Sequence, residues 1–133
     1  MGKTALTKNP IHLGLGATAE VEPLFTGEMD WYMGYGQRHG DDGAEGRLVS
    51  MHSFSDPWDV WEMHPNGSEV VLCVDGTIEL VQEIDGAEVA TTLSKGEYAV
   101  NEPGTWHTAN VADSATCIFI TAGLGTEHRS RES

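Results

Sequence analysis

Short β-type runs separated by Gly-containing turns are the feature that most constrains the fold of this chain. In the segment EVVLCVDGTIELVQEIDGAEVATTL, which starts at residue 69, Asp75-Gly76 and Asp85-Gly86 stand between runs rich in Val, Ile, Leu and Thr. Asp-Gly pairs between such runs are typical of β-hairpin turns. The pattern predicts three antiparallel strands, at residues 69–74, 77–84 and 87–93.

Similar runs recur outside this segment, and no apolar stripe of helical period extends beyond about two turns. The pattern therefore predicts an all-β fold of about eight short strands, at the spacing of a sandwich or closed barrel. The length of 133 residues fits one domain, and we place its core at about residues 47–123. The additional strands are predicted at residues 47–54, 60–63, 98–101, 105–111 and 115–122.

Residues 1–46 form an N-terminal arm in this interpretation. Within it, residues 29–35, MDWYMGY, are predicted to be an aromatic edge strand. Residues 37–46 are rich in Gly and Asp and lack apolar anchors, which predicts a mobile loop. The polar tail, residues 125–133, is expected to fray.

The charge of the chain excludes some partners. Its 21 Asp and Glu against 7 Lys and Arg give a formal net charge of −14, which repels a nucleic-acid backbone and an anionic membrane surface. We see no apolar run long enough to span a membrane and no apolar segment typical of a signal peptide. We therefore expect a cytoplasmic protein that binds neither nucleic acid nor membranes, with Cys73 and Cys117 as buried free thiols.

Two carboxylates and two imidazoles are placed so that they can converge. Glu62 and His64 share one face of a predicted strand, since alternate side chains of a strand point the same way. A Pro-Asn-Gly turn then brings Glu69 back against them, and His107 leaves a second turn, Pro-Gly-Thr-Trp. Carboxylates so close together repel each other unless a cation or shared protons neutralise them. The cluster therefore predicts a divalent metal site.

These residues resemble the motifs of a small single-domain cupin. The first cupin motif spaces Gly, His-x-His, Glu and Gly, and the second spaces Gly, Pro, Gly and His. The resemblance implies a double-stranded β-helix, or jelly-roll, barrel that holds a divalent ion such as Mn, Fe, Zn or Ni. The matching residues are Glu62, His64, Glu69 and Gly76 in the first motif, and Gly96, Pro103, Gly104 and His107 in the second.

The sequence departs from the cupin pattern at the first ligand position, where Glu62 replaces His. In one interpretation Glu62 is a metal ligand in a two-Glu, two-His set. In another, His64, Glu69 and His107 form a facial triad with open positions, and Glu62 is a catalytic base. A third interpretation is a barrel without metal, in which these side chains bond to one another or to an organic ligand.

Three further side chains are candidates for a substrate pocket. His52 is in phase with Leu48 and Phe54 on a predicted strand, so it is either a core histidine or a group that lines the barrel near the metal. Trp58 has the parity to face the pocket, and Tyr98 is a third candidate.

Strand parity directs other aromatic residues away from the site. Trp61 and Trp106 each precede a candidate ligand, so they are expected on the opposite face. The remaining histidines, His12, His39 and His128, lie near the ends or in the predicted loop and are expected at the surface.

Two functions fit this pattern. The first is a metal-dependent enzyme, such as an oxygenase, isomerase or lyase, acting on a small organic molecule inside the barrel. The second is a non-catalytic cupin that binds or senses a small ligand, with or without metal. The resemblance also implies a homodimer that pairs through residues 29–35.

Overall fold

The computed structural model describes residues 2–132 and confirms the all-β class. Besides its strands, the described chain contains helix α1, Met29–His39, and a 3₁₀ helix, Gly40–Glu45. Neither helix is long and apolar enough to cross a membrane. The strands are β1 Ile11–Gly14, β2 Thr18–Val21, β3 Arg47–Phe54, β4 Val60–Met63, β5 Glu69–Ile84, β6 Ala87–Ser94, β7 Tyr98–Asn101, β8 His107–Asn110, β9 Ala115–Thr121 and β10 Glu127–Ser130.

Strand β5 is long and pairs with four other strands. Its first half pairs with β7 and β9, and its second half pairs with β6 and β8. The continuous order of neighbours is β10-β4-β8-β5-β9-β3-β1-β2. Inward-facing residues of β5, β8 and β9 alternate with outward ones and form the apolar core. That core includes Val71, Cys73, Ile78, Cys117 and Phe119.

One predicted hairpin is wrong, because the chain continues through Asp75-Gly76 as a single strand. The register to β9 shifts between Cys73 and Asp75, as in a β-bulge, and Gly76 has a φ of 72°. A bulge bends its strand, and here it lets β5 pass from one set of partners to the other. Gly76 also approaches the Ser114 carbonyl so closely that a Cβ would collide with it.

The other predicted hairpin is confirmed. Asp85 and Gly86 connect β5 to β6, with Ile84 opposite Ala87. Both turn residues have positive φ, 52° and 80°, as a type I′ turn requires.

The prediction of an edge strand at residues 29–35 is wrong, since these residues begin helix α1. Trp31 and Tyr35, one turn apart, stack on each other at 5.9 Å between ring centroids, and Phe25 packs edge-on against Trp31 at 5.1 Å. The Trp31 indole also donates to the Pro23 carbonyl at 3.2 Å. The stacking within the helix and the contacts with Phe25 and Pro23 outweigh the weak helix propensity of a segment with glycines at positions 34 and 36.

The mobile loop and the surface position of His12 are also corrected. His12 is only 1% exposed. Its Nδ1 lies 2.6 Å from the Tyr35 hydroxyl and its Nε2 2.6 Å from Asp42 Oδ2. His39 stacks on the His12 ring at 3.7 Å and contacts Glu22 Oε2 at 2.8 Å. This network holds α1 and the 3₁₀ helix against β1, which explains why residues 37–46 are ordered.

The predicted fraying of the tail is wrong over residues 127–131; residue 133 lies outside the described residues. Strand β10 pairs with β4, with His128 opposite Glu62. The Arg131 guanidinium donates to the carbonyls of Trp58 and Ala109 at 3.2 and 3.1 Å and to Asn110 Oδ1 at 2.5 Å. The tail is therefore part of the barrel wall.

Candidate metal centre

The four predicted donors lie together at one end of the barrel. Glu62 on β4 is opposite His107 on β8, Glu69 begins β5, and His64 follows the end of β4. Glu69 Oε1 lies 3.1 Å from His107 Nε2, and Glu69 Oε2 lies 3.4 Å from His64 Nε2. Glu62 Oε1 is farther out, 3.8 Å from His107 Nε2.

These separations fit ligands of one ion. Metal–ligand bonds of about 2.1 Å at angles of about 90–110° put neighbouring ligand atoms roughly 3.0–3.4 Å apart. The contacts of Glu69 to the two histidines fall in this range. Ligand atoms of Glu62, His64 and His107 also lie within 4.8 Å of one another. The set with one donor atom of each residue within 4.8 Å of the others is therefore Glu62, His64 and His107, while Glu69 contacts the two histidines through different oxygens.

Neighbouring oxygens fix both histidines in the tautomer that metal binding requires. The Thr126 hydroxyl donates to the Gly123 carbonyl at 2.8 Å, so its oxygen accepts a hydrogen bond from His64 Nδ1 at 2.8 Å. His107 Nδ1 lies 3.2 Å from the Thr105 carbonyl, which can only accept. In the neutral imidazole each Nδ1 therefore carries the hydrogen, which leaves the Nε2 lone pair free.

The two Nε2 atoms face the centre without a hydrogen-bond partner. Both are buried, and neither has a partner with acceptable geometry among residues 2–132. A buried polar atom left unpaired costs about 1–3 kcal/mol. A cation at the centre would satisfy both lone pairs.

Burial and the neighbouring charges oppose each other at this site. Burial alone would raise the pKa of the Glu69 carboxyl, but the ring nitrogens of His107 and His64 hold it well below its usual range. Burial alone would lower the pKa of His107, but Glu69, the Thr105 carbonyl and Glu62 raise it. Glu69 is therefore a carboxylate at neutral pH. Its negative charge favours a proton on His107 or a cation at the centre.

A shell of polar residues that the sequence did not reveal orients Glu69. Asn101 Nδ2 donates to Glu69 Oε1 at 3.0 Å, and the Thr121 hydroxyl donates to Oε2 at 2.6 Å. Gln82 Nε2 donates to Asn101 Oδ1 at 2.7 Å and so sets the orientation of that amide. Asn101 and Thr121 are the cross-strand partners of Glu69 on β7 and β9, so only the strand register identifies them.

Comparison with known proteins identifies the fold. No protein-family profile and no curated protein match the chain. A conserved, uncharacterized protein with a double-stranded β-helix domain, from Klebsiella pneumoniae subsp. pneumoniae, has a similar structure: TM-score 0.52, 19% identity, 65% of this chain and 76% of that one covered. This chain has the cupin fold.

A second similar structure is an enzyme. Oxalate oxidase in complex with the substrate analogue glycolate matches with a TM-score of 0.52 at 15% identity, over 61% of this chain and 45% of its own. This cupin-fold chain thus spans less than half the length of that protein. Likeness at this level of identity establishes the shared fold alone.

Glu62 lies at the mouth of the barrel. Its side chain is 29% exposed, and its Oε2 lies 3.1 Å from His128 Nε2. The pKa of Tyr32 on α1 is raised, first by burial and then by the Glu62 charge. The sequence placed His128 at the surface, and it is half exposed, but its pairing with Glu62 links it to the site.

Of the predicted pocket residues, Trp58 lies inside the barrel beside the donors. Its ring centroid is 6.3 Å from His107, 6.0 Å from Phe119 and 5.5 Å from Phe54. His52 packs against Phe119 at 5.9 Å, farther along the same wall, and burial lowers its pKa. Trp58 is thus the candidate whose ring lies beside the predicted donor His107.

Tyr98 does not line the barrel interior, so its prediction as a pocket residue is wrong. Its side chain is 65% exposed. Asn101, three positions later on β7, faces inward to Glu69, so strand alternation directs Tyr98 outward. Trp61 and Trp106 face away from the site as expected, with the Arg129 guanidinium 5.1 and 4.6 Å from their rings.

A second cluster, of His12, Glu20 and His39, has donor atoms within 4.8 Å of one another. Its two imidazole rings are stacked 3.7 Å apart and nearly parallel, at 15°. An ion lies in the plane of each ring that binds it, which stacked rings cannot both provide. Both His12 nitrogens are already in contact with Tyr35 and Asp42. We therefore assign this cluster a structural role.

Proposed function

We propose that this chain is a divalent-metal-binding cupin and that His64, Glu69 and His107 hold the ion. The proposal rests on the Nε2 atoms of His64 and His107, which are buried and have no hydrogen-bond partner. Thr126 and the Thr105 carbonyl select the tautomer of the two neutral rings through Nδ1. Partners on the far nitrogen are a general feature of metal-binding histidines. The mixed nitrogen and oxygen donors suit Mn, Fe, Zn or Ni.

Glu62 is the proposed catalytic base. It is farther from His107 than Glu69 is, it is partly exposed at the mouth, and it contacts His128. A carboxylate in this position can take a proton from a molecule bound at the centre, and His128 extends the contact towards solvent. If Glu62 instead closes in by a small movement, it becomes a fourth ligand.

The proposed activity is that of a metal-dependent enzyme acting on a small organic molecule inside the barrel, in the class of oxygenases, isomerases or lyases. A bound ion would act there as a Lewis acid or as an oxygen-activating centre. The chain's own contribution is to orient the donors through Asn101, Thr121 and Thr126, and to hold a proton at Glu62.

Metal content of variants tests this proposal. The protein is expressed in metal-replete medium, and the bound metal is measured by elemental analysis. We expect His107→Ala to lose the metal and Glu62→Ala to retain it while losing turnover in a substrate screen. His52→Ala is the matched control, since His52 is an interior histidine outside the donor set, and it should retain metal.

Two outcomes would count against the proposal. Wild-type protein with no more metal than His107→Ala would show that the barrel binds no ion there. Loss of metal in Glu62→Ala would make Glu62 a ligand, and its assignment as a base would then be wrong.

A further inference from the structure

Trp58 carries a buried hydrogen-bond donor that has no acceptor. Its Nε1 is inaccessible to solvent and finds no partner among residues 2–132. A buried indole N–H normally finds an acceptor. The backbone of the same residue is well bonded, because its N–H donates to the Ala109 carbonyl at 3.0 Å and its carbonyl accepts from Arg131 at 3.2 Å. The missing partner is therefore specific to the side chain.

Two histidine nitrogens are, like Trp58 Nε1, buried and without a hydrogen-bond partner. In the described part of the chain, the buried side-chain nitrogens and oxygens without a partner are Trp58 Nε1, His64 Nε2 and His107 Nε2. The rings of His64 and Trp58 lie 5.2 and 6.3 Å from that of His107. The Trp58 ring thus neighbours the His107 ring, which in turn neighbours that of His64.

The chemistry of the three atoms differs. The histidine lone pairs would be satisfied by a cation, but an N–H group cannot bind a cation and needs an acceptor. The other aromatic neighbours of Trp58, Phe54 and Phe119, offer no acceptor in their side chains. An acceptor oxygen from outside the chain would satisfy this N–H, as a cation would satisfy the two lone pairs.

We propose that Trp58 Nε1 donates a hydrogen bond to an oxygen of a small organic carboxylate that is held at the ion. Trp58 is thereby a specificity-determining residue, which favours carboxylates over ligands without an acceptor oxygen. This inference rests on the proposed function, because it places the ligand beside the proposed ion.

Nuclear magnetic resonance tests the donor directly. Zinc-loaded wild-type protein with ¹⁵N-labelled tryptophan is titrated with acetate and with benzoate, after the four indole signals have been assigned by through-bond experiments. We expect the Trp58 indole signal to shift on addition of at least one carboxylate, while the Trp106 signal stays in place.

Two variants measure the contribution of the N–H group. Trp58→Phe keeps an aromatic ring but removes the donor, and Trp106→Phe removes an indole N–H from the outer face. A hydrogen bond to a charged group contributes enough that its loss weakens binding by about tenfold or more. We expect this loss of carboxylate affinity in Trp58→Phe and wild-type affinity in Trp106→Phe.

The outcomes separate this inference from the proposed function. A Trp58 signal that does not respond to either carboxylate in metal-loaded protein overturns the inference and leaves the metal site intact. Equal carboxylate affinity of wild type and Trp58→Phe also overturns it. A shift of the Trp58 signal in protein that binds no metal upholds the donor role, whereas the proposed function fails. The wild-type titration decides the matter even if Trp58→Phe does not fold.

Discussion

At the scale of single residues, the orientation of the two candidate histidine ligands depends on groups outside the donor set. Thr126 uses its hydroxyl hydrogen on the Gly123 carbonyl, and its oxygen thereby becomes an acceptor for His64 Nδ1. The backbone carbonyl of Thr105 is likewise an acceptor for His107 Nδ1. The orientation of each imidazole ring is thus set by a hydrogen bond at Nδ1, on the side of the ring away from the centre.

Replacing Thr126 should weaken metal binding without removing a ligand. In Thr126→Val, His64 loses the acceptor that selects its tautomer, and we expect the dissociation constant for Zn²⁺ to rise about 10- to 100-fold. Competition with a chromophoric chelator measures it. Thr116→Val is the control, because Thr116 bonds Ser53 at the surface. Unchanged affinity in Thr126→Val would contradict the assigned role of the hydroxyl.

The two cysteines give a prediction on pH. Burial, and then the neighbouring Cys73, raise the pKa of Cys117 to about 12, and both thiols are fully buried. Since the folded pKa exceeds the unfolded one, the protonated thiol contributes stability that is complete below pH 9 and is lost as the pH rises towards about 12.

The unfolding free energies of wild type and Cys117→Ala, measured by urea titration, should therefore differ most at neutral pH and converge in this alkaline range. At pH 8 the native thiols should not react with a disulfide reagent until the protein unfolds. A constant difference between wild type and variant across the range would show that Cys117 does not titrate as inferred.

At the scale of elements, the long strand β5 is what brings the ligands together. Glu69 begins it, and its second half pairs with β8, where Gln82 is opposite His107. A hairpin at Asp75-Gly76 would have made residues 69–74 and 77–84 two separate antiparallel strands. The bulge instead keeps one strand in contact with the β7 and β9 partners of Glu69 and with the strand of His107.

Two glycine substitutions test the importance of this bulge. Gly86→Ala places a Cβ at a φ of 80° with no atom within 4 Å, so it should cost only about 1–2 kcal/mol. Gly76→Ala adds a collision with the Ser114 carbonyl to a similar φ of 72°, and we expect a further ~1–3 kcal/mol of destabilisation. Urea unfolding measures both; equal losses would contradict the assigned close contact.

The wrong predictions at the element scale share one cause. Helix α1 and strand β10 have weak local signals, and each forms because of partners distant in sequence. Tyr35 of α1 contacts His12 of β1 at 2.6 Å, and β10 pairs with β4. Asp75-Gly76 has the local chemistry of a turn, but its neighbour Ser114 comes from the start of β9. Local propensity cannot register such contacts.

At the scale of the whole molecule, the net charge of −14 disfavours self-association, yet the N-terminal arm exposes apolar side chains. Leu24, Met29 and Met33 are each more than half exposed. The predicted homodimer can no longer form through a strand at residues 29–35, because that segment is helical. The dimer itself stays a prediction, now through this apolar face.

Sedimentation equilibrium tests the dimer. We expect a mass of twice 14.4 kDa for the wild type and a shift towards monomer in Met33→Asp, which places a charge on the apolar face. Asp113→Asn, an exposed change in the connection between β8 and β9, is the control. A wild-type monomer at all concentrations would remove the prediction.

The strand-rich fold and the grouping of Glu62, His64, Glu69 and His107 could be predicted from local patterns, because strand parity and tight turns act over a few residues. The remaining features could be seen only in the folded chain. It showed that Tyr98 faces outward, that Asn101, Thr121 and Thr126 orient the donors, and that Trp58 has an unpaired N–H. Those features depend on the register between strands far apart in the chain, which no local pattern encodes.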